Sequence, residues 1–371
     1  MFVVISLSGG PSKKNPGTRG RFRSLLRASL FASLAFSFAV LCAFAQASDS
    51  FIPGSKPPDA PSQFREFIGE YGLGTDATRY FVFERNGELL LAHASGGEAR
   101  LKQVSANDFT DSAVLLPRTS NPPLHRDSNG AIGLQVGGMA FLKNLYPSQG
   151  GPLHKLPADH SIEKLRETAL HSEPPAENRN FRKPDLVELA SLDPTIHLDI
   201  RYATSNDFLG VPVYTQARAF LQRPAAEALV RVLHKLQPLS YGLLVHDGYR
   251  PWYVTKIFWD ATPPEGKIFV ADPTKGSRHN RGCAVDLTLY DLKSGEPIEM
   301  TGYYDEMSPR SFPDYPGGTS LERWHRDLLR RAMESEGFTV FESEWWHFDY
   351  KDWPEYGILN IPFEKLNVKP N

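Results

Sequence analysis

Residues 277–291 read SRHNRGCAVDLTLYD, and residues 342–350 read ESEWWHFDY. The first stretch places His279 seven residues before Asp286, and the second places Glu344 three residues before His347. Two imidazoles and a carboxylate are a donor set suited to zinc, which in catalytic sites takes three protein ligands and keeps a fourth position for water. His279, Asp286 and His347 fit that count, so one zinc ion per chain is expected. Glu344 is then the base that takes the water's proton. Any one of these residues alone would read as an ordinary polar side chain. The four together, at these spacings, carry the metal reading.

Strands and turns must bring them together. Residues 284–290 alternate, with Val285, Leu287 and Leu289 on one face and Asp286, Thr288 and Tyr290 on the other. If the first face fills a core, Asp286 faces a cleft. On a flat strand Glu344 and His347 would point to opposite faces, so the chain is expected to turn near Glu344, with His347 already inside a strand over 346–350. Further strands are expected at 186–189, 196–200, 243–246 and 338–341, and helices at 224–236, 252–259 and 320–334. Pro224 suits a first helical turn and Gly337 a helix end.

Upstream lie short apolar runs at 80–84, 88–93, 113–116, 131–136 and 139–142, with Asn86-Gly87 and Asn129-Gly130 as hairpin signals. They predict a small antiparallel β domain over 48–145. A polar, Pro-rich stretch over 146–183 reads as a linker with a short helix at 161–170. The expected class is therefore α+β: an antiparallel sheet with flanking helices over 184–371, preceded by a small all-β domain.

Residues 1–47 differ from the rest. They hold six basic residues and no acid, then an apolar run over 28–45 that closes on Ala45-Gln46-Ala47. This reads as a secretory signal cleaved after Ala47, with an uncleaved membrane anchor as the alternative. An exported protein of the periplasm or cell envelope is expected, touching a membrane only if that segment is retained. Without it the chain keeps 35 basic against 43 acidic residues, a net charge of −8, which disfavours nucleic acid as a partner. Of the two cysteines only Cys283 would remain, so no disulfide framework is expected.

Ser277 to Asp286 in the form S-x-H-x-x-G-x-A-x-D, followed by E-x-W-H at 344–347, resembles the zinc D-Ala-D-Ala peptidases, whose fold is shared with lysostaphin-like enzymes and hedgehog signalling domains. DIRYATSNDFLG (199–210) and DGYRP (247–251) resemble the VanX-type D-alanyl-D-alanine dipeptidase branch. The resemblance covers roughly half the chain. It implies zinc on His279, Asp286 and His347, Glu344 as general base and then proton donor, and Arg250 against the oxyanion. It also implies Tyr202 and Asp305 at the ammonium of a small peptide substrate, D-Ala-D-Ala, and Ser277 at its carboxylate. Here the chain departs from the family's M-G-T-x-F-D: it reads MTGYYD over 300–305, with Tyr304 in place of Phe. A salt bridge to Asp247 is the alternative role for Arg250, and a core position the alternative for Tyr202.

Other residues carry less. His246 and Asp247 are adjacent and should diverge on a strand. Residues 324–327 (Trp-His-Arg-Asp) are expected on a helix surface, and Trp345 and Trp346 in the core or cleft wall. Two further functions stay open: a D,D- or L,D-carboxypeptidase or endopeptidase on longer wall peptides, and a non-catalytic zinc-stabilised binding module.

Overall fold

Eight strands in strict chain order make the first sheet: β1 (Gly69–Tyr71), β2 (Tyr80–Arg85), β3 (Glu88–His93), β4 (Glu98–Gln103), β5 (Asp108–Asp111), β6 (Leu124–Arg126), β7 (Ile132–Val136) and β8 (Met139–Leu142). A bridge between Tyr71 and Lys143 brings its last strand back to its first. The computed structural model describes residues 51–72, 79–111, 123–136, 138–145 and 161–366. The expected signal segment, the run at 113–116 and the linker portion 146–160 lie outside the described residues.

Alternation builds the meander. In β4 only Ala99 and Leu101 are buried. Val82, Leu89, Leu91, Leu101, Phe109, Leu124 and Leu134 share one core with Phe67 and Tyr71. In β2 and β3 the second face is covered as well: Phe81, Phe83 and Leu90 pack against Tyr315. That is why residues 80–83 are apolar without alternation. Glu84, only 2% exposed, fixes the docking. Its carboxylate accepts from the backbone of Ser320 at 2.7 Å and of Gly87 at 2.6 Å. Its carbonyl accepts from Arg323 at 2.7 Å.

The second sheet runs β10–β12–β13–β15–β14. Its strands are β10 (His197–Leu198), β12 (Tyr241–Asp247), β13 (Ala284–Asp291), β14 (Phe338–Phe341) and β15 (Glu344–Tyr350), while β9 (Leu186–Glu188) and β11 (Phe220–Gln222) pair separately. All pairings in the five-stranded sheet are antiparallel except β10 with β12. Its helices are α1 (Ile162–Leu170), α2 (Leu189–Leu192), α3 (Arg223–Leu236), α4 (Trp252–Ala261) and α5 (Ser320–Glu334). Proline stands in the first turn of α3, and a Thr319–Glu322 capping box starts α5. Val285, Leu287 and Leu289 of β13 join one core with Leu229, Val232 and Leu233 of α3 and Leu328 and Leu329 of α5. The result is a mixed α+β structure with a large antiparallel sheet.

Three departures from the sequence reading have physical causes. Asp286, Thr288 and Tyr290 are as buried as their neighbours, at 2–5% exposure: Tyr304 and the two imidazoles cover Asp286, and Tyr290 stacks on His197 and donates to the Thr195 carbonyl. Trp324, His325 and Arg326 were expected on a helix surface and are buried: Trp324 Nε1 donates to the Gly54 carbonyl, His325 meets the Tyr241 hydroxyl, and Arg326 donates to the Tyr315 carbonyl. Residues 51–61 and 161–183 are laid onto the second sheet's side of the molecule. Phe51 enters its core, and Glu177 accepts from Arg281 at 2.6 Å and from the Ile358 backbone at 2.7 Å.

Candidate active site

Three neighbouring strands set a row of polar side chains. Asp286 of β13 stands directly opposite His347 of β15 and, on the other side, opposite Asp247 of β12. Opposed residues on antiparallel strands share a face, with Cβ atoms about 5 Å apart. The register of β12 shifts between Val245 and Asp247. This bulge puts Asp247, rather than His246, in the row, which is how a bulge re-aims a side chain. His246 instead stacks on Tyr304 at 4.5 Å.

His279 reaches the row from a 3₁₀ turn (His279–Arg281) ahead of β13. Gly282 ends that turn at φ +67°, and a Cβ there would lie 2.5 Å from Leu186, so glycine is required. Buried Asn280 ties the turn down: Nδ2 donates to the Arg250 carbonyl at 2.9 Å and to Thr255 at 2.8 Å, and Oδ1 accepts from the Ser277 backbone at 2.7 Å.

His279 Nε2 and His347 Nδ1 are 3.0 Å apart, and Asp286 Oδ1 lies 3.3 and 3.0 Å from them. Ligands about 2.0–2.1 Å from a tetrahedral ion stand roughly 3.3 Å from one another, so this triangle has the size a zinc ion needs. Asp286 Oδ1 is buried and makes no hydrogen bond, although buried carboxylate oxygens are normally satisfied. The outer ring nitrogens are engaged: His279 Nδ1 with the Gly248 carbonyl at 2.7 Å, His347 Nε2 with Asp349 Oδ1 at 3.0 Å. Those partners fix the tautomers that turn Nε2 and Nδ1 lone pairs inward. The residues present fit a divalent metal.

Burial alone would raise Asp286, but the two imidazoles hold it well below the usual carboxylate range. Burial would lower His347, and the Asp286 and Asp349 carboxylates overcome this, raising it to about 10. A proton and a cation therefore compete for His347 Nδ1. Glu344 Oε2 lies 3.7 Å from that nitrogen with its side chain 14% exposed, and burial pushes its carboxyl up to about 7. Glu344 is itself the first residue of β15. The expected turn is a slip in the β14–β15 register: Val340 opposes Phe348, and Phe341 opposes Glu344. That slip lets residues three apart face one centre.

Arg250 follows β12. Its Nε and Nη2 lie 2.9 and 2.8 Å from Asp247 Oδ2, and Nη2 lies 3.7 Å from Asp286 Oδ2. The salt bridge to Asp247 and a position beside the candidate metal ligands thus coexist. Tyr202 is buried and its hydroxyl donates to Asp305 Oδ2 at 2.8 Å. Asp305 adopts φ +57°. Burial, with Asp286 nearby, raises Asp305 well above the usual carboxylate range. Ser277 is buried, and its Oγ accepts from the His279 backbone at 3.2 Å. The Tyr304 hydroxyl donates to Asp286 Oδ2 at 3.1 Å, leaving Oδ1 for the centre.

Residues 182–368 match the family model described as D-ala-D-ala dipeptidase. The chain belongs to that family. It is similar to the D-alanyl-D-alanine dipeptidase of Escherichia coli K12, 35% identical over 179 residues, which are 48% of this chain and 91% of the relative. The Enterococcus faecalis dipeptidase is 37% identical over 184 residues (44% and 91%), and that of Streptomyces coelicolor 35% over 177 (43% and 88%). As a member of the dipeptidase family the chain is a peptidase. The family match begins at residue 182, so the eight-stranded meander lies outside it.

The residues that sequence reasoning passed over are Asp349, Asn280 and the Gly248 carbonyl, whereas the Asp247 partner of Arg250 was expected as an alternative and is present. Asp349 was within reach, since it follows His347 by two residues and shares its strand face. The carbonyl carries no side-chain signal. Cys283 is buried, its thiol is raised by burial, and it stands outside the ligand triangle.

Proposed function

We propose that this chain is a zinc-dependent dipeptidase that hydrolyses D-alanyl-D-alanine to two molecules of D-alanine. The observation that carries the reading is the triangle of His279 Nε2, His347 Nδ1 and Asp286 Oδ1 with the Glu344 carboxylate beside it. Bound by these residues, zinc would supply a Lewis acid and a water of lowered pKa. Glu344 takes a proton from the attacking water and delivers it to the leaving amine. Its value of about 7 suits both tasks. Arg250, fixed by Asp247, donates to the oxygen on which charge develops; one such donor contributes roughly 3 kcal/mol in a dry site. Asp305 and the Tyr202 hydroxyl receive the substrate ammonium, whose charge brings the Asp305 carboxyl back toward ionisation. Ser277 donates its hydroxyl to the substrate carboxylate.

The Tyr202–Asp305 bond favours a substrate with a free ammonium over an acylated one. Purified protein is assayed for metal content by mass spectrometry and for hydrolysis of D-alanyl-D-alanine against its N-acetyl derivative. One zinc per chain and preference for the free dipeptide are expected. Faster cleavage of the acetylated compound would replace this reading with a carboxypeptidase.

We also infer export of the chain, with residues 1–47 removed as a signal, an all-β unit within 48–145 and a peptidase over 184–371 onto which residues 161–183 fold. N-terminal sequencing of protein from the cell envelope should start at Ser48.

A further inference from the structure

Residues 300–311 form no helix or strand beyond one 3₁₀ turn (Pro309–Ser311), yet they bring two groups to the candidate site. The Tyr304 hydroxyl holds Asp286 Oδ2, and Asp305 Oδ2 accepts from the Tyr202 hydroxyl at 2.8 Å. Asp305 and Met307 both lie in the left-handed region, at φ +57° and +50°. Aspartate tolerates that conformation, whereas methionine is rarely found in it. Strain of this kind persists only where the surroundings over-determine it. Charge opposes the arrangement as well, since Asp286 and Glu344 both act against an ionised Asp305. A further contact has to hold the segment in place.

Glu306 stands between the two left-handed residues, and its side chain is fully buried. A buried carboxylate needs partners, and this segment supplies three. Oε2 accepts from the Tyr303 backbone at 3.0 Å, while the Glu306 N–H donates to the Tyr303 carbonyl at 3.3 Å. These two bonds close a turn whose central residues are Tyr304 and Asp305. Oε1 accepts from Ser308 Oγ at 2.6 Å and lies 3.4 Å from Arg310 Nε. Arg310 Nε in turn donates to the Thr301 carbonyl at 2.9 Å. One carboxylate thus joins the two ends of the segment across the strained residues.

We propose that Glu306 is a positioning residue for the amino end of the substrate: its carboxylate clamps residues 303–308 into the strained turn that presents Asp305 to the substrate ammonium. The role rests on the dipeptidase reading, in which Asp305 and Tyr202 receive that ammonium. Without the clamp, residues 305 and 307 relax toward ordinary backbone, and Asp305 moves away from its two like-charged neighbours. The candidate metal ligands stand on β13, on β15 and in the turn at His279–Arg281, so the triangle keeps its residues. An ammonium contact is made in the ground state and the transition state alike, and its loss raises KM and leaves kcat in place.

Steady-state kinetics on D-alanyl-D-alanine test this in the full chain, with zinc affinity measured against a competing chelator. Glu306→Ala should raise KM about tenfold or more, with kcat within about threefold and zinc affinity within about twofold of the wild type. Glu306→Gln keeps an acceptor for the Tyr303 N–H and loses the charge facing Arg310, so its KM should fall in between; it carries the test if the alanine variant does not fold. Asp305→Asn alone should raise KM about tenfold or more, and adding Glu306→Ala to it should change KM by no more than about twofold, because the two act as one unit. Met307→Gly, which lets residue 307 take a positive φ freely, should lower the KM of the Glu306→Ala protein by about threefold or more. A wild-type KM in both Glu306 variants, a loss carried by kcat or by zinc affinity instead, or full additivity with Asp305→Asn overturns the clamp. A KM that Met307→Gly does not lower overturns the part given to strain. A wild-type KM in Asp305→Asn, or a wild type that hydrolyses no dipeptide, is the separate failure of the dipeptidase reading, and the clamp falls with it.

Discussion

The meander and the five-stranded sheet use the same pleat to opposite ends. In β4 of the meander, alternate residues enter the core and the rest, Glu98, Arg100, Lys102 and Gln103, stay wet. In β13 both faces are buried, and the second face holds Asp286 between Asp247 and His347. A wet charge needs no partner. A buried one must be paired or must bind a metal. Each charge in the second row accordingly has its fixed neighbour: Arg250 for Asp247, Tyr304 for one oxygen of Asp286, Asp349 for His347. One oxygen of Asp286 is left over, and it faces the two imidazoles in a triangle that could hold a metal ion.

If the contrast holds, changes in the buried row should cost chemistry, and changes in the meander should cost stability. The largest effect is expected for Glu344→Gln, which should lower kcat by about 10³-fold or more with zinc content unchanged; loss of zinc in that variant would make Glu344 a ligand. Phe109→Ala in the meander core should cost about 3–5 kcal/mol in denaturant unfolding of that sheet. Zinc affinity of the folded protein should stay within about twofold, and a tenfold loss would break the separation between the two regions. Asp349→Asn should weaken zinc binding by about 10- to 100-fold, measured against a competing chelator.

The pH profile sharpens the same point. A base works when ionised, so kcat/KM should rise with pH through a midpoint at or below about 7, since a bound cation can only lower Glu344 further. Zinc must displace the proton that His347 holds up to about 10. Apparent zinc affinity should therefore climb by about tenfold per pH unit below that value; a flat profile would mean that His347 binds no proton to lose. The smallest effect is expected for Glu84→Gln. It weakens the charge-assisted contact at the start of α5 and should cost about 1 kcal/mol with kcat unchanged.

The ligand triangle was legible because its chemistry sits in side-chain types at recurring spacings. The long elements were legible too: α5 spans Ser320–Glu334 and β14 spans Phe338–Phe341, as alternation and capping predict. What escaped was set by contacts far along the chain. Strand β6 is three residues long, and its sequence Leu-His-Arg carries no pattern of its own. Trp324 and His325 look like part of an amphipathic helix's wet side until residues 51–61 and the Tyr241 hydroxyl cover them. The β12 bulge that chooses Asp247 over His246 depends on the partner strand, which no local window contains.

The strand bearing Glu344 and His347 is the last of its sheet in chain order, yet it sits between β13 and β14. Until Glu344 and His347 have emerged from the ribosome, two of the four side chains are missing and Asp286 has only the His279 imidazole beside it. Any product that stops short of residue 344 thus carries an incomplete site, whatever else of the fold has formed.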